Sequence, residues 1–153
     1  MTNAPRDPDY EKRVRASFAR QALMTTLGAT LAGVGPGEVT VELPFRSELT
    51  QQHGFLHAGI VTSVLDSACG YAALSLMEPG AAVLSVEFKV NLLAPARGNQ
   101  FRAVGRVVRA GRTVTVVSGE FRVVEATAER DAALVAIMTG TMMAVRDRKG
   151  FSD

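Results

Sequence analysis

Hydrophobic positions along this chain recur with two different periods, and the places where the period changes divide it into a helix, two strands, a long helix and four strands. Asp9–Thr26 contains YEKRVRASFARQALM. There Val14, Phe18 and Ala22, with Leu23 and Met24, fall on one side of a helix, and Lys12, Arg13 and Arg20 fall elsewhere. This amphipathic helix is expected to cover an edge or mouth. Ala29–Val34 then forms a short strand, Gly35-Pro36-Gly37 a turn, and Glu38–Phe45 a second strand in which Val39, Val41 and Leu43 alternate with Glu38, Thr40 and Glu42. Gln51–Met77 is a short polar loop leading into one long apolar helix. Glu78-Pro79-Gly80 stops it. Ala82–Leu93 resumes as a strand with Leu84, Val86, Phe88, Val90 and Leu92 on one face and Ser85, Glu87, Lys89 and Asn91 on the other. After a turn at Pro95–Gly98 come strands over Gln100–Arg109, Thr113–Glu125 and Ala132–Val145. They are joined at Ala110-Gly111-Arg112 and Thr127–Asp131 and followed by a polar tail.

This order gives an α+β chain with a six-stranded antiparallel sheet around one long helix and an extra N-terminal helix, because short turns between consecutive strands require antiparallel neighbours. With no repeat, linker or low-complexity tract, residues 1–153 are expected to form one domain. One helix covers only one face of such a sheet. Ala132–Met143 is apolar on both faces, so part of the outer surface is expected to pack on another subunit.

The long helix carries the candidate chemistry. Among the 21 residues from His57 to Met77 the only formal charge is Asp66. Gly59, Thr62, Ser63, Asp66, Cys69, Gly70 and Ala73 recur at helical spacing as a stripe of small and polar residues. Ile60, Val61, Val64, Leu65, Ala68, Tyr71 and Leu76 form the apolar side. A solvated surface acid would have charged company on its face, and Asp66 has none. Asp66 is therefore expected to face a seam or cleft, while the first turn at His57-Ala58-Gly59 offers backbone N–H groups and the positive end of the helix dipole. A membrane span is disfavoured by the central Asp66 and by the absence of close basic flanks.

Composition narrows the classes further. A net charge of +2 with scattered arginines does not suit nucleic-acid binding. One cysteine, Cys69, allows no internal disulfide and suits a reducing cytoplasm, and two histidines with one cysteine make a poor metal-ligand set. No charged leader followed by an apolar segment opens the chain, so a cytoplasmic location is expected.

The segment HAGIVTSVLDSA, followed after a turn by LSVEFKVNLLAPARG, resembles the hotdog-fold thioesterases, closest to the phenylacetate-degradation type. The resemblance covers about Leu27–Val145. The chain departs from the usual His-Gly-Gly at Ala58; the donor there is a backbone N–H, which alanine also supplies. The resemblance implies a hotdog fold and an acyl-CoA thioesterase acting on an aryl or medium-chain acyl group. Ala58 N–H, helped by Gly59 N–H, would polarise the carbonyl, Asp66 would be nucleophile or general base, Gln51 would lie near the reacting centre, and Ser85 would place water. It also implies a site shared between subunits of a homodimer or dimer of dimers.

Such chemistry needs donors where oxyanion charge develops and an activated base, and no metal or redox cofactor. Thr62 and Ser63, one turn before Asp66, are expected to turn their hydroxyls towards it. His57 is expected to orient the loop and His53 to be a loop residue. Arg109, Gly111 and Arg112, with Lys89 and Arg97, are candidates for the coenzyme A phosphates. Two other classes stay open. One is a hotdog hydratase or dehydratase, with His57 and Asp66 brought together across subunits. The other is a non-catalytic acyl-CoA-binding module, in which an acid beside the thioester would serve no purpose.

Overall fold

The computed structural model describes residues 4–124, 133–151 and 153. Helices α1 (Tyr10–Arg20) and α2 (Ala22–Leu27) precede strands β1 (Thr30–Gly35) and β2 (Glu38–Pro44). After a short 3-10 turn at Ser47–Leu49 come helix α3 (Ala58–Leu74) and strands β3 (Ala82–Leu92), β4 (Gln100–Ala110), β5 (Val114–Val123) and β6 (Leu134–Val145). The expected turn at Thr127–Asp131 and the expected strand ends at Glu125 and Ala132 lie outside the described residues. No described helix is long and apolar enough to cross a membrane.

All six strands join one sheet in the order β1-β2-β4-β5-β6-β3, every neighbour antiparallel. Alternation decides which residues meet α3. Val39, Val41 and Leu43 of β2, Phe101 and Ala103 of β4, Val117 and Phe121 of β5, and Met138 and Met142 of β6 are buried with Val61, Val64, Leu65 and Ala68 of the helix. Phe101 and Phe121 stack at 5.5 Å between ring centres. Large side chains buried this fully each contribute roughly 1.5–3 kcal/mol of transfer free energy, so the face towards α3 holds the fold together.

Two facing glycines set how close the helix can lie. Gly105 of β4 pairs with Gly119 of β5. A methyl group on Gly105 would stand 2.4 Å from the backbone carbonyl of Ala68, and one on Gly119 would stand 2.8 Å from Cys69 Sγ. The helix backbone rests on bare sheet at the turn that follows Asp66.

The N-terminal helix expected over Asp9–Thr26 is two helices, broken at Gln21, whose ψ of 96° is extended. The break shifts the helical phase, so Met24 and Leu27 are buried while Ala22 and Leu23 face outwards. Gln21 Oε1 accepts a hydrogen bond from Ser67 of α3 (3.1 Å). Arg13 is also not the plain surface cation its position suggests. Its guanidinium donates to Leu74 O (3.1 Å), Met77 O (2.8 Å) and Glu78 O, and pairs with Asp7 (3.3 Å). It thereby adds a donor to carbonyls at and just beyond the C-terminal end of α3.

The strand over Ala82–Leu92 departs from simple alternation. Ser85 pairs with Met142 but Glu87 pairs with Thr141, so Val86 is an extra residue in a β-bulge. Ser85 consequently shares the helix-facing side with Phe88, Val90 and Leu92, while Leu84, Glu87, Lys89 and Asn91 face away. β3 is also an edge strand, and Val86, Phe88 and Leu92 are each more than 40% exposed along it.

Replacing Gly105 by alanine is expected to destabilise the fold by about 1–3 kcal/mol, since the new methyl must displace the α3 backbone. Gly70→Ala meets nothing within 4 Å and removes a helical glycine, so it is expected to hold or raise stability. Urea unfolding of both variants checks the pair; equal stabilities would remove the close-approach explanation.

Candidate active site

Helix α3 begins at an N-cap whose geometry comes from His57. With φ −62° and ψ 139°, His57 is extended, and its Nδ1 accepts the Gly59 N–H at 2.9 Å. The ring proton is then on Nε2, and the Gly59 N–H expected as a second oxyanion donor is already engaged. Ala58 N–H has no acceptor among the described residues, and Ala58 is exposed. Gln51 and Ala58 line an apolar cavity of about 450 Å³ closed by Phe55, Leu92, Pro95 and Val135. The Gln51 carboxamide oxygen accepts the His53 N–H and so folds over its own loop.

Asp66, two turns further on, stands at the mouth of a second cavity of about 390 Å³ between α3, α1 and the start of β3. Ser85 Oγ donates to Asp66 Oδ1 at 2.6 Å. No donor engages Oδ2 among the described residues. Thr62 and Ser63 do not turn to the acid. They donate one turn back along the helix, to Ala58 O (2.8 Å) and Gly59 O (2.7 Å), as helical Thr and Ser often do. The hydroxyl that holds Asp66 thus comes from the sheet, and only the Val86 bulge aims it there.

Cys69, one turn past Asp66, is buried with its thiol pushed up to about 12, first by desolvation and second by the Asp66 charge. It stays a protonated thiol and a packing residue, since nucleophilic reactivity belongs to the thiolate. Ser17 and Tyr71 enter the Asp66 cavity, which also takes in Arg20, Gln21 and Asp153. None of these five belonged to the sequence-derived site, since their motif neighbours carry no catalytic pattern.

Ala58 N–H and Asp66 cannot serve one carbonyl within a single chain, being eight residues or about 12 Å apart along α3 at a rise of roughly 1.5 Å per residue. Both cavities open along β3, because α3 runs antiparallel to it: Ala58 lies near Leu92, and Asp66 meets Ser85. Of the candidates for the coenzyme A phosphates, all but Arg97 sit apart from both. Lys89 is on the outer face of β3, and Arg109, Gly111 and Arg112 are exposed around the β4–β5 turn. That turn stands at the Ser85 end of the sheet, since Ser85 pairs with Met142, which pairs with Thr115. Arg97 stacks over Phe55 at 5.1 Å, beside the apolar cavity.

Residues 53–128, which include the α3 N-terminus, Asp66 and Ser85, match the model of the Thioesterase superfamily. A putative esterase of Halobacterium salinarum is 33% identical over 130 residues, 82% of this chain and 85% of that protein. A putative esterase of Saccharolobus solfataricus is 40% identical over 86 residues, 56% of this chain but only 61% of that protein's length. Human acyl-coenzyme A thioesterase 13 is 30% identical over 58% of this chain and 64% of its own. Among solved structures, a thioesterase family protein from Silicibacter pomeroyi has a TM-score of 0.85 at 54% identity and covers 90% of this chain and 99% of that one. The E. coli PaaI protein from the phenylacetic acid degradation operon has a TM-score of 0.79 at 19% identity, over 94% and 96% of the two chains, which is a likeness of fold. With its hotdog sheet, its bulge-aimed serine and acid, and relatives matched over most of their length, this chain belongs to the thioesterase superfamily.

Proposed function

We propose that the protein hydrolyses acyl-CoA thioesters to a free acid and coenzyme A, at two equivalent sites each built from two copies of the chain. The observation that carries this is the Ser85–Asp66 hydrogen bond at the mouth of a cavity. It fixes one carboxylate oxygen and leaves the other without a donor among the described residues. The name of the human relative supports coenzyme A as the thiol.

The edge strand supplies the geometry for sharing. A two-fold axis through the middle of β3 would pair it antiparallel with its copy and extend the sheet across both chains. The Ser85 end of one β3 would then lie beside the Leu92 end of the other. Asp66 of one chain would approach the Ala58 N–H of its partner, and the exposed Phe88 and Leu92 would be covered.

At such a site the carbonyl oxygen accepts from Ala58 N–H, pre-oriented at the positive end of α3, so the donor is in place as negative charge develops. Asp66 either attacks the carbonyl carbon, giving an acyl anhydride that water hydrolyses once the thiol has left, or takes a proton from a water that attacks that carbon. Ser85 holds Asp66 in register. Collapse of the tetrahedral species breaks the carbon–sulfur bond and releases the thiolate. His57 serves by capping, since Nδ1 is committed to Gly59 N–H, and this speaks against a hydratase in which His57 moves protons.

Asp66→Ala is expected to keep the fold and lower kcat by at least ~10²–10⁴-fold in a thiol-release assay. Ser85→Ala should give a smaller loss in the same direction; near-wild-type turnover in Asp66→Ala would end the assignment. Ala58→Pro deletes the proposed oxyanion donor at a helix position that accepts proline's φ, with an expected loss of ~10²–10³-fold in kcat. His57→Asn keeps a capping acceptor and should retain substantial activity. Circular dichroism checks that both variants fold, and the reverse ranking would favour the hydratase.

A further inference from the structure

One carboxylate already lies inside the Asp66 cavity. Asp153, beyond β6, accepts a hydrogen bond from Ser17 Oγ at Oδ1 (2.7 Å) and one from the Val83 backbone N–H at Oδ2 (3.2 Å). Arg20 Nη2 stands 3.8 Å from the same Oδ1, and Ser17 Oγ is 3.4 Å from the Tyr71 hydroxyl. Ser17 is only 5% exposed. These groups line the cavity whose mouth holds Asp66 and Ser85.

We propose that this cradle of Ser17, Arg20 and the Val83 N–H is a subsite for the far end of the acyl group, and that it selects acyl chains ending in a carboxylate. Asp153 is then an internal stand-in that such a substrate displaces. The inference rests on the hydrolase reading and adds the chemical class of its substrate, a monothioester of a dicarboxylic acid.

Distance and charge both lead to this class. Tyr71 lies five residues beyond Asp66, about 7.5 Å along α3, so the cradle sits one medium-length acyl chain from the reacting carbonyl. The phosphates of coenzyme A are a full pantetheine arm away from the sulfur and cannot be the anion it receives. Between mouth and cradle the helix shows Ser67 and Gly70, which leave width for a chain. An acyl group ending in a methyl would displace Asp153, leave the Val83 N–H without its acceptor and leave the buried Ser17 hydroxyl only the longer 3.4 Å contact to Tyr71, a cost that a carboxylate avoids.

The test compares adipyl-CoA with hexanoyl-CoA, equal in chain length but with and without the distal carboxylate, in the thiol-release assay. Arg20→Ala and Ser17→Ala are each expected to lower kcat/KM for adipyl-CoA by about 10–100-fold, mainly through KM, while changing hexanoyl-CoA far less. Asp153→Ala should raise kcat/KM for both substrates, since either acyl chain must displace Asp153, and should keep the preference for adipyl-CoA. Equal effects of Arg20→Ala and Ser17→Ala on the two substrates would overturn the subsite and make Asp153 a plain plug. Hydrolysis of hexanoyl-CoA that depends on Asp66 but shows no preference for adipyl-CoA would defeat this inference and leave the hydrolase standing. Failure to cleave either would defeat both.

Discussion

The site depends on one extra residue in an edge strand. Without the bulge at Val86, Ser85 would keep company with Glu87 and Lys89 on the outer face, and Asp66 would lack its only hydrogen-bond donor among the described residues. Bulges increase local twist and redirect side chains, and they concentrate near functional sites. Here the same bulge leaves Phe88, Val90 and Leu92 facing the helix side, where a second chain can reach them. A local irregularity of pairing therefore couples the acid's orientation to the edge surface that the proposed second chain would cover.

That coupling works because the helix is held at fixed height and rotation. Gly105 lets the backbone at Ala68 and Cys69 touch the sheet and Gly119 makes room for the Cys69 and Leu65 side chains, so Asp66, less than a turn away, is presented at a set angle to Ser85. At the far end Arg13 ties α3 to α1 through the last helical carbonyls, and Gln21 ties the helix break to Ser67. Together these contacts make α1 a wall of the Asp66 cavity as well as a cover for the core. Rigid supports of this kind suit a site whose chemistry needs donor and acid in place before reaction.

Much of this was legible in the residues. Alternation with short turns made β4, β5 and β6 antiparallel neighbours, and the lone acid among uncharged residues marked Asp66. The same reasoning put β3 beside β4 across the Pro95–Gly98 turn, whereas β3 pairs with β6 at the edge of the sheet. The bulge was invisible, because Leu84, Val86, Phe88, Val90 and Leu92 alternate as though nothing intervened and pairing alone reveals the slip. The break at Gln21 carries no proline or glycine to announce it. Thr62 and Ser63 looked like partners of Asp66 by helical spacing, yet the nearest acceptor for each hydroxyl was a carbonyl one turn back. His57 and Gly59 were neighbours in the motif, but their hydrogen bond depends on the extended ψ of the cap. The cradle joins Ser17 to Asp153, 136 positions apart, and no local pattern spans such a distance.

The central claim is that Asp66 of one chain works with the Ala58 N–H of another. It is tested most directly by mixing two inactive variants. Asp66→Ala and Ala58→Pro chains, co-expressed with different affinity tags and purified as the hybrid, place both defects in one shared site and leave the other site intact. The account predicts thiol release at about half the wild-type rate per dimer, with each homogeneous variant remaining impaired. A hybrid no more active than its parents would contradict it, since it would mean that each chain supplies both groups to its own site.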